Sequence, residues 1–101
     1  MKDFRCYQLA LCLYRKLMEI RPPRHLKDQL ERAAASICLN LAEGYGRRSF
    51  QDKRRFYQTS LGSLREVQSI LDLLSANENA QLRQLAHELG GGLYRLCQWT
   101  P

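Results

Sequence analysis

The stretch that most constrains this chain is residues 26–43, LKDQLERAAASICLNLAE. At 100° per residue, Leu26, Leu30, Ala33, Ala34, Ile37 and Leu41 fall on one apolar stripe. Ala35, Leu39 and Ala42 make a second, small-residue face roughly opposite, and Ser36, Asn40 and Glu43 form a polar edge between the two. A helix that is apolar on two sides requires two neighbours, and its alanines allow them to come close. Gly44 stands where a helix commonly ends in a left-handed residue, and Gly46 keeps the following turn permissive.

The flanking segments supply partners of the same kind. A first helix is predicted from Phe4 to Ile20 with Asp3 as its N-cap. It carries one stripe of Phe4, Tyr7, Leu11, Tyr14 and Met18, and a second of Cys6, Leu9, Ala10, Leu13, Leu17 and Ile20. Together these cover more than half the circumference, so the helix is either central or meets another subunit. A bundle of four has no central helix, which favours the second. Pro22 and Pro23 break the chain, because proline clashes with the preceding turn and cannot donate to it. His25 has no second ligand at helical spacing and reads as a helix-start residue.

Ser49, with Asp52 three residues on, has the pattern of a capping box opening a third helix, Phe50 to Leu74. Phe56, Leu64, Val67, Ile70, Leu71 and Leu74 share a face, with Arg54, Gln58, Leu61 and Arg65 lined up on the far side. Residues 75–79 form a short polar connection, consistent with an antiparallel neighbour. A fourth helix is predicted from Ala80 to Gln98, its stripe formed by Leu82, Leu85, Ala86, Leu89, Leu93 and Leu96. Gly90, Gly91 and Gly92 interrupt it at about 1 kcal/mol each relative to alanine. A close crossing at one of them, a kink, a split helix and a loosely held C-terminal turn through Trp99 are the outcomes this leaves open. The pattern as a whole is all-α: an antiparallel, up-and-down four-helix bundle in one domain, residues 1–101, assembling as a homo-oligomer.

Cys6, Cys12, Cys38 and Cys97 make no C-x-x-C pair, and both histidines are distant from them in sequence, so metal-ligand spacing is missing. Free thiols in a reducing cytoplasm are expected, and no apolar run reaches the roughly 20 residues that span a bilayer. No phosphate loop, paired general acid and base, or cofactor motif is present, so neither a cofactor nor an enzymatic activity is expected. Ser36, Asn40 and Glu43, at i, i+4 and i+7, have the look of a catalytic trio. Neither histidine is spaced to serve Ser36 as a base, so they read as a structural motif that fixes helix register and anchors the turn.

The chemistry-bearing candidate is the basic turn. Arg47, Arg48, Lys53, Arg54 and Arg55 stand against Asp52 alone, leaving +4 in nine residues out of a net +6 for the chain. They open a helix, where the macrodipole prefers acids by roughly 0.3–1 kcal/mol per residue. Cations placed against the dipole motivate a phosphate ligand, with arginines forking onto it and Tyr45 stacking on an exposed base. Arg65, further along the same helix, completes the expected surface. Solvation, or pairing with Glu43 and Asp52, is the competing account. Nucleic acid is the expected partner, and an adaptor role, in which the turn docks an acidic protein, is the alternative.

Residues 31–47, ERAAASICLNLAEGYGR, resemble the signature of a bacterial four-helix-bundle family first named for reading frames within intervening sequences of 23S ribosomal RNA genes. The departures are Glu31, Cys38 and Leu41. Arg55-Phe56-Tyr57 and the run Leu61-Gly62-Ser63-Leu64-Arg65-Glu66 are similar to a second block, and Asp3-Phe4-Arg5-Cys6-Tyr7-Gln8 to the opening. The resemblance implies a bundle that forms pentamers, and a kinship with the accessory subunit of diversity-generating retroelements. That kinship implies an RNA and a reverse transcriptase as partners.

Overall fold

Neither Pro22 nor Pro23 has a backbone N–H, so the helix before them cannot continue. The computed structural model describes residues 2–74 and 79–98, with backbone alone at residues 2 and 3. Helix α1 spans Lys2–Leu17, ending short of Ile20. Its tail tightens ahead of the prolines: Met18 N–H still reaches Tyr14, but those of Glu19 and Ile20 reach only Lys16 and Leu17. Asp3, the expected cap, lies within the first turn, and its side chain is outside the described residues.

Helix α2, Arg24–Tyr45, starts at Pro23 without a side-chain cap. Its end corrects the sequence reading. Gly44 is inside the helix and buried; the cap is Gly46, at φ −82° and ψ −6°, and no glycine among the described residues has positive φ. Gly44 is required for another reason. A Cβ there would lie 2.7 and 2.9 Å from two ring carbons of Tyr57 and 3.1 Å from Phe56 Cβ. Packing against the next helix selects this glycine, not a left-handed turn.

Helix α3, Phe50–Leu73, is capped by Ser49, whose Oγ accepts the Asp52 N–H at 3.1 Å. Helix α4, Ala80–Gln98, runs unbroken through the three glycines. One of them makes a close crossing: a Cβ at Gly92 would sit 2.7 Å from Cys6 Sγ on α1. Gly90 and Gly91 have ordinary room, their nearest contacts at 3.5 Å. The 75–78 connection and the turn through Trp99 lie outside the described residues.

The four helices form a bundle in cyclic order, with α1 against α2, α2 against α3, α3 against α4, and α4 closing onto α1. Paired positions run in opposite order: Ser36 meets Ser63, Ile37 meets Ser60, and Gly44 meets Tyr57. The core is filled by Leu13 and Leu17, Leu30, Ile37 and Leu41, Tyr57, Leu64 and Leu71, and Leu89 and Leu93, all almost fully buried. Each buried leucine contributes roughly 1.5–3 kcal/mol of apolar transfer.

The core face of α3 holds as read at Leu64, Val67, Ile70 and Leu71, but at its start it passes through Tyr57 in place of Phe56. Tyr57 is buried, while Phe56 stays half exposed beneath two guanidiniums, Arg47 at 4.8 Å and Arg55 at 5.2 Å from its ring centroid. Among the described residues the second face of α2 is largely uncovered: Leu39 is 69% exposed, Ala42 is exposed and Ala35 is half-buried.

Candidate nucleic-acid interface

The turn at residues 46–49 folds the start of α3 back against the end of α2, and this gathers the basic residues. Lys53 Nζ donates to the carbonyls of Tyr45, at 2.8 Å, and Gly44, at 3.3 Å. These are terminal carbonyls of α2, where the macrodipole is negative. A cation that opposes the dipole of its own helix is therefore compensated by its neighbour's. The ammonium also lies 5.7 Å from the Tyr45 ring centroid.

Arg47 donates to Glu43 Oε2 at 2.7 Å, one helical turn back, while its guanidinium covers Phe56. Its Nε is buried and makes no hydrogen bond among the described residues. Arg55 faces Asp52 at 3.7 Å and shares the same ring. Three of the five cations are thus engaged within the chain. Arg48 is exposed and makes no hydrogen bond or ion pair among the described residues. Arg54 is exposed as well, and its charge partly offsets the burial that pushes the Cys97 thiol up, which sets it beside the last turn of α4.

Tyr45 is 40% exposed, and its ring sits 6.4 Å from that of Phe4, tilted by 49°, so an aromatic pair borders the cations. Arg65 is not brought to this end. It stands ten residues beyond Arg55, about 15 Å along the helix, where it donates to Gln68 Oε1 at 3.1 Å.

Two residues missed in the sequence join the cluster's end of the bundle. Arg5, near the start of α1, and Arg95, near the end of α4, are both exposed. Cys6 meets Gly92 and Phe4 meets Tyr45, so those ends of α1, α2 and α4 coincide. No local pattern marks either arginine; chain topology alone brings them near the basic turn.

Of the polar trio, Ser36 reaches the neighbouring helix and Asn40 braces it from within α2. Ser36 Oγ and Ser63 Oγ are 2.7 Å apart, and Asn40 Nδ2 donates to the Ser36 carbonyl at 2.9 Å and to its hydroxyl at 3.0 Å. Ser60 is fully buried and donates to the Ile37 carbonyl at 2.9 Å. Glu43 points outward to Arg47.

All four cysteines are free. Burial pushes the Cys38 thiol up, with Arg15 opposing the effect weakly, so both it and Cys97 are held neutral. Among the described residues no group of three or more histidine, cysteine or acidic side chains is placed to hold a metal ion. No helix among the described residues is long and apolar enough to cross a membrane.

Over residues 2–95 the chain matches the family model described as 23S rRNA-intervening sequence protein. Comparison with curated proteins returns no match.

Proposed function

The chain belongs to the 23S rRNA-intervening sequence protein family, and from that premise we propose that it is a non-enzymatic nucleic-acid-binding accessory protein of the cytoplasm. It contacts RNA or DNA backbone phosphate with the basic end of an antiparallel, up-and-down bundle, repeated in a homo-oligomer. The observation that carries this reading is the pair of exposed guanidiniums at Arg48 and Arg54, on the end of the bundle that also carries the Tyr45–Phe4 rings. Such groups fork onto phosphate and stack on unpaired bases. The descending order of residue pairs between α2 and α3 supports the antiparallel arrangement.

The uncovered α2 face supports assembly. On α2, Leu39 and Ala42 are exposed and Ala35 is half-buried, and on α1 Tyr7, Leu11, Tyr14 and Met18 are only partly buried. A second copy would cover this apolar surface, and the family resemblance supports a pentamer as the assembly. Exposed Tyr94 and Leu73 on the other helices favour the alternative reading, an adaptor that docks a protein such as a reverse transcriptase.

Salt separates the two. Binding of a structured RNA and of a mixed duplex, followed by fluorescence anisotropy, should weaken log-linearly with salt. Replacing Arg48 and Arg54 by alanine should make that slope shallower, by roughly 0.9 for each duplex phosphate no longer neutralised. No binding at low salt by an intact oligomer would overturn the nucleic-acid reading and leave the adaptor.

A further inference from the structure

Gly91 has no packing reason to be glycine. A Cβ there would have its nearest neighbour, the far end of Arg95, at an ordinary 3.5 Å, yet glycine in a helix interior costs about 1 kcal/mol relative to alanine. Gly91 faces a cleft of about 380 Å³ between α1 and α4, with Cys6 packed against Gly92 in its wall. That volume lies within the range of small-molecule sites, roughly 300–1,000 Å³.

The cleft is chemically polarised. Arg5 from α1 and Arg95 from α4 line one end, and His87 and Glu88 line the other. Glu88, Gly91 and Arg95 follow one face of α4 at i, i+3 and i+7, so carboxylate and guanidinium positions are about 10 Å apart along the axis. The Arg95 guanidinium folds back over Gly91, which brings its fork to the cleft. Between the charged ends the walls are Leu9, Cys6 and the backbone of Gly91 and Gly92.

An inorganic anion would use the arginines and be repelled by Glu88. A ligand that suits all three zones has a phosphate at one end, a flat apolar body, and N–H donors at the other end for a carboxylate acceptor. We propose that the α1–α4 cleft binds a nucleoside monophosphate unit. The phosphate sits on Arg5 and Arg95, the base lies against Leu9 and the glycine backbone, and the base's amino edge donates to Glu88. The site uses different helices from the basic turn and stands or falls without it. The unit is either a free nucleotide or an unpaired nucleotide of an RNA strand.

The test titrates the full chain with the four ribonucleoside monophosphates, and separately with inorganic phosphate, following the amide resonances of Leu9, Gly91, Gly92 and Arg95. Saturable shifts are expected for at least one nucleotide, with phosphate binding more weakly. Arg95→Gln should weaken binding about tenfold. Gly91→Leu, a helix-favouring change at a half-buried position, should abolish it while circular dichroism stays unchanged. A short single-stranded RNA distinguishes the source. Binding that Gly91→Leu removes assigns the site to an RNA nucleotide, and binding of monophosphates alone assigns it to free nucleotide. The proposal fails if no nucleotide shifts these resonances at millimolar concentration, if Gly91→Leu binds like wild type, or if phosphate alone binds equally well.

Discussion

Gly44→Ala and Gly62→Ala are the same substitution within helices, and the packing gives them opposite signs. At Gly62, an exposed position in the middle of α3, nothing lies within 4 Å of an added Cβ. The change should stabilise by about 0.5–1 kcal/mol through helix propensity. At Gly44 the same gain is smaller, because the helix ends one residue later. The new methyl would meet the Tyr57 ring at 2.7 and 2.9 Å, where carbon atoms pack best at roughly 3.5–4.0 Å. Relief requires the ring to retreat by most of an ångström, but Tyr57 is only 2% exposed and enclosed by the core. Overpacking of this kind costs about 1–3 kcal/mol, so the two variants should differ by roughly 2–3 kcal/mol. Denaturant midpoints, measured at equal protein concentration because assembly contributes to stability, would read this directly. Repeating Gly44→Ala in a Tyr57→Leu background removes most of the clash and should recover the stability. An equal penalty in both backgrounds would refute the packing argument, since a backbone requirement is indifferent to residue 57.

The glycines of α4 should divide in the same way: Gly91→Ala stabilises by about 0.5–1 kcal/mol, while Gly92→Ala destabilises and is rescued by Cys6→Ala, which thermal unfolding would check. Burial holds the Cys38 and Cys97 thiols up, so the unfolded chain releases those protons first as pH rises. Stability should therefore be level at neutral pH and decline from the ordinary thiol range upward, with Cys38→Ala and Cys97→Ala flattening the decline in pH-dependent denaturation. Leu39→Glu alters an exposed side chain, so it should leave helicity intact and dissociate the assembly in light scattering. A fully assembled Leu39→Glu variant would remove α2 from the interface.

The sequence made the elements legible where the signal was local. Apolar stripes of helical period located all four helices, and Ser49 with Asp52 marked the start of α3 because the cap closes within four residues. What was illegible depended on a neighbour. Gly44 has the sequence signature of a helix stop, and only the Tyr57 ring packed over it shows otherwise. Phe56 and Tyr57 are adjacent aromatics of similar size, and periodicity could not say which faced inward until two arginines claimed Phe56. Ser36 and Asn40 were read as register-setting groups, but Ser63, which pairs with Ser36, and Ser60, which bonds the Ile37 carbonyl, carry no motif. Arg5 and Arg95 could be placed near the basic turn only once the ends of α1 and α4 were known to meet there.

That dependence on neighbours also changes the electrostatics of the basic turn. Considered on α3 alone, five cations at a helix N-terminus are an unsatisfied charge that calls for an anion. In the fold, the same residues lie against the C-terminus of α2, and Lys53 is held by its last carbonyls. Arg47 and Arg55 have carboxylates and an aromatic ring. Dipole opposition therefore no longer favours phosphate at three of the five positions, and the case rests on Arg48 and Arg54. Two exposed guanidiniums give a weak contact in one subunit, with a salt slope of only about 1.8. Strong binding then has to come from repetition, with several subunits presenting the same end to one strand. The uncovered apolar face of α1 and α2 and the small number of uncommitted cations thus bear on one question, because a phosphate-binding role for this bundle requires the assembly that the face would support.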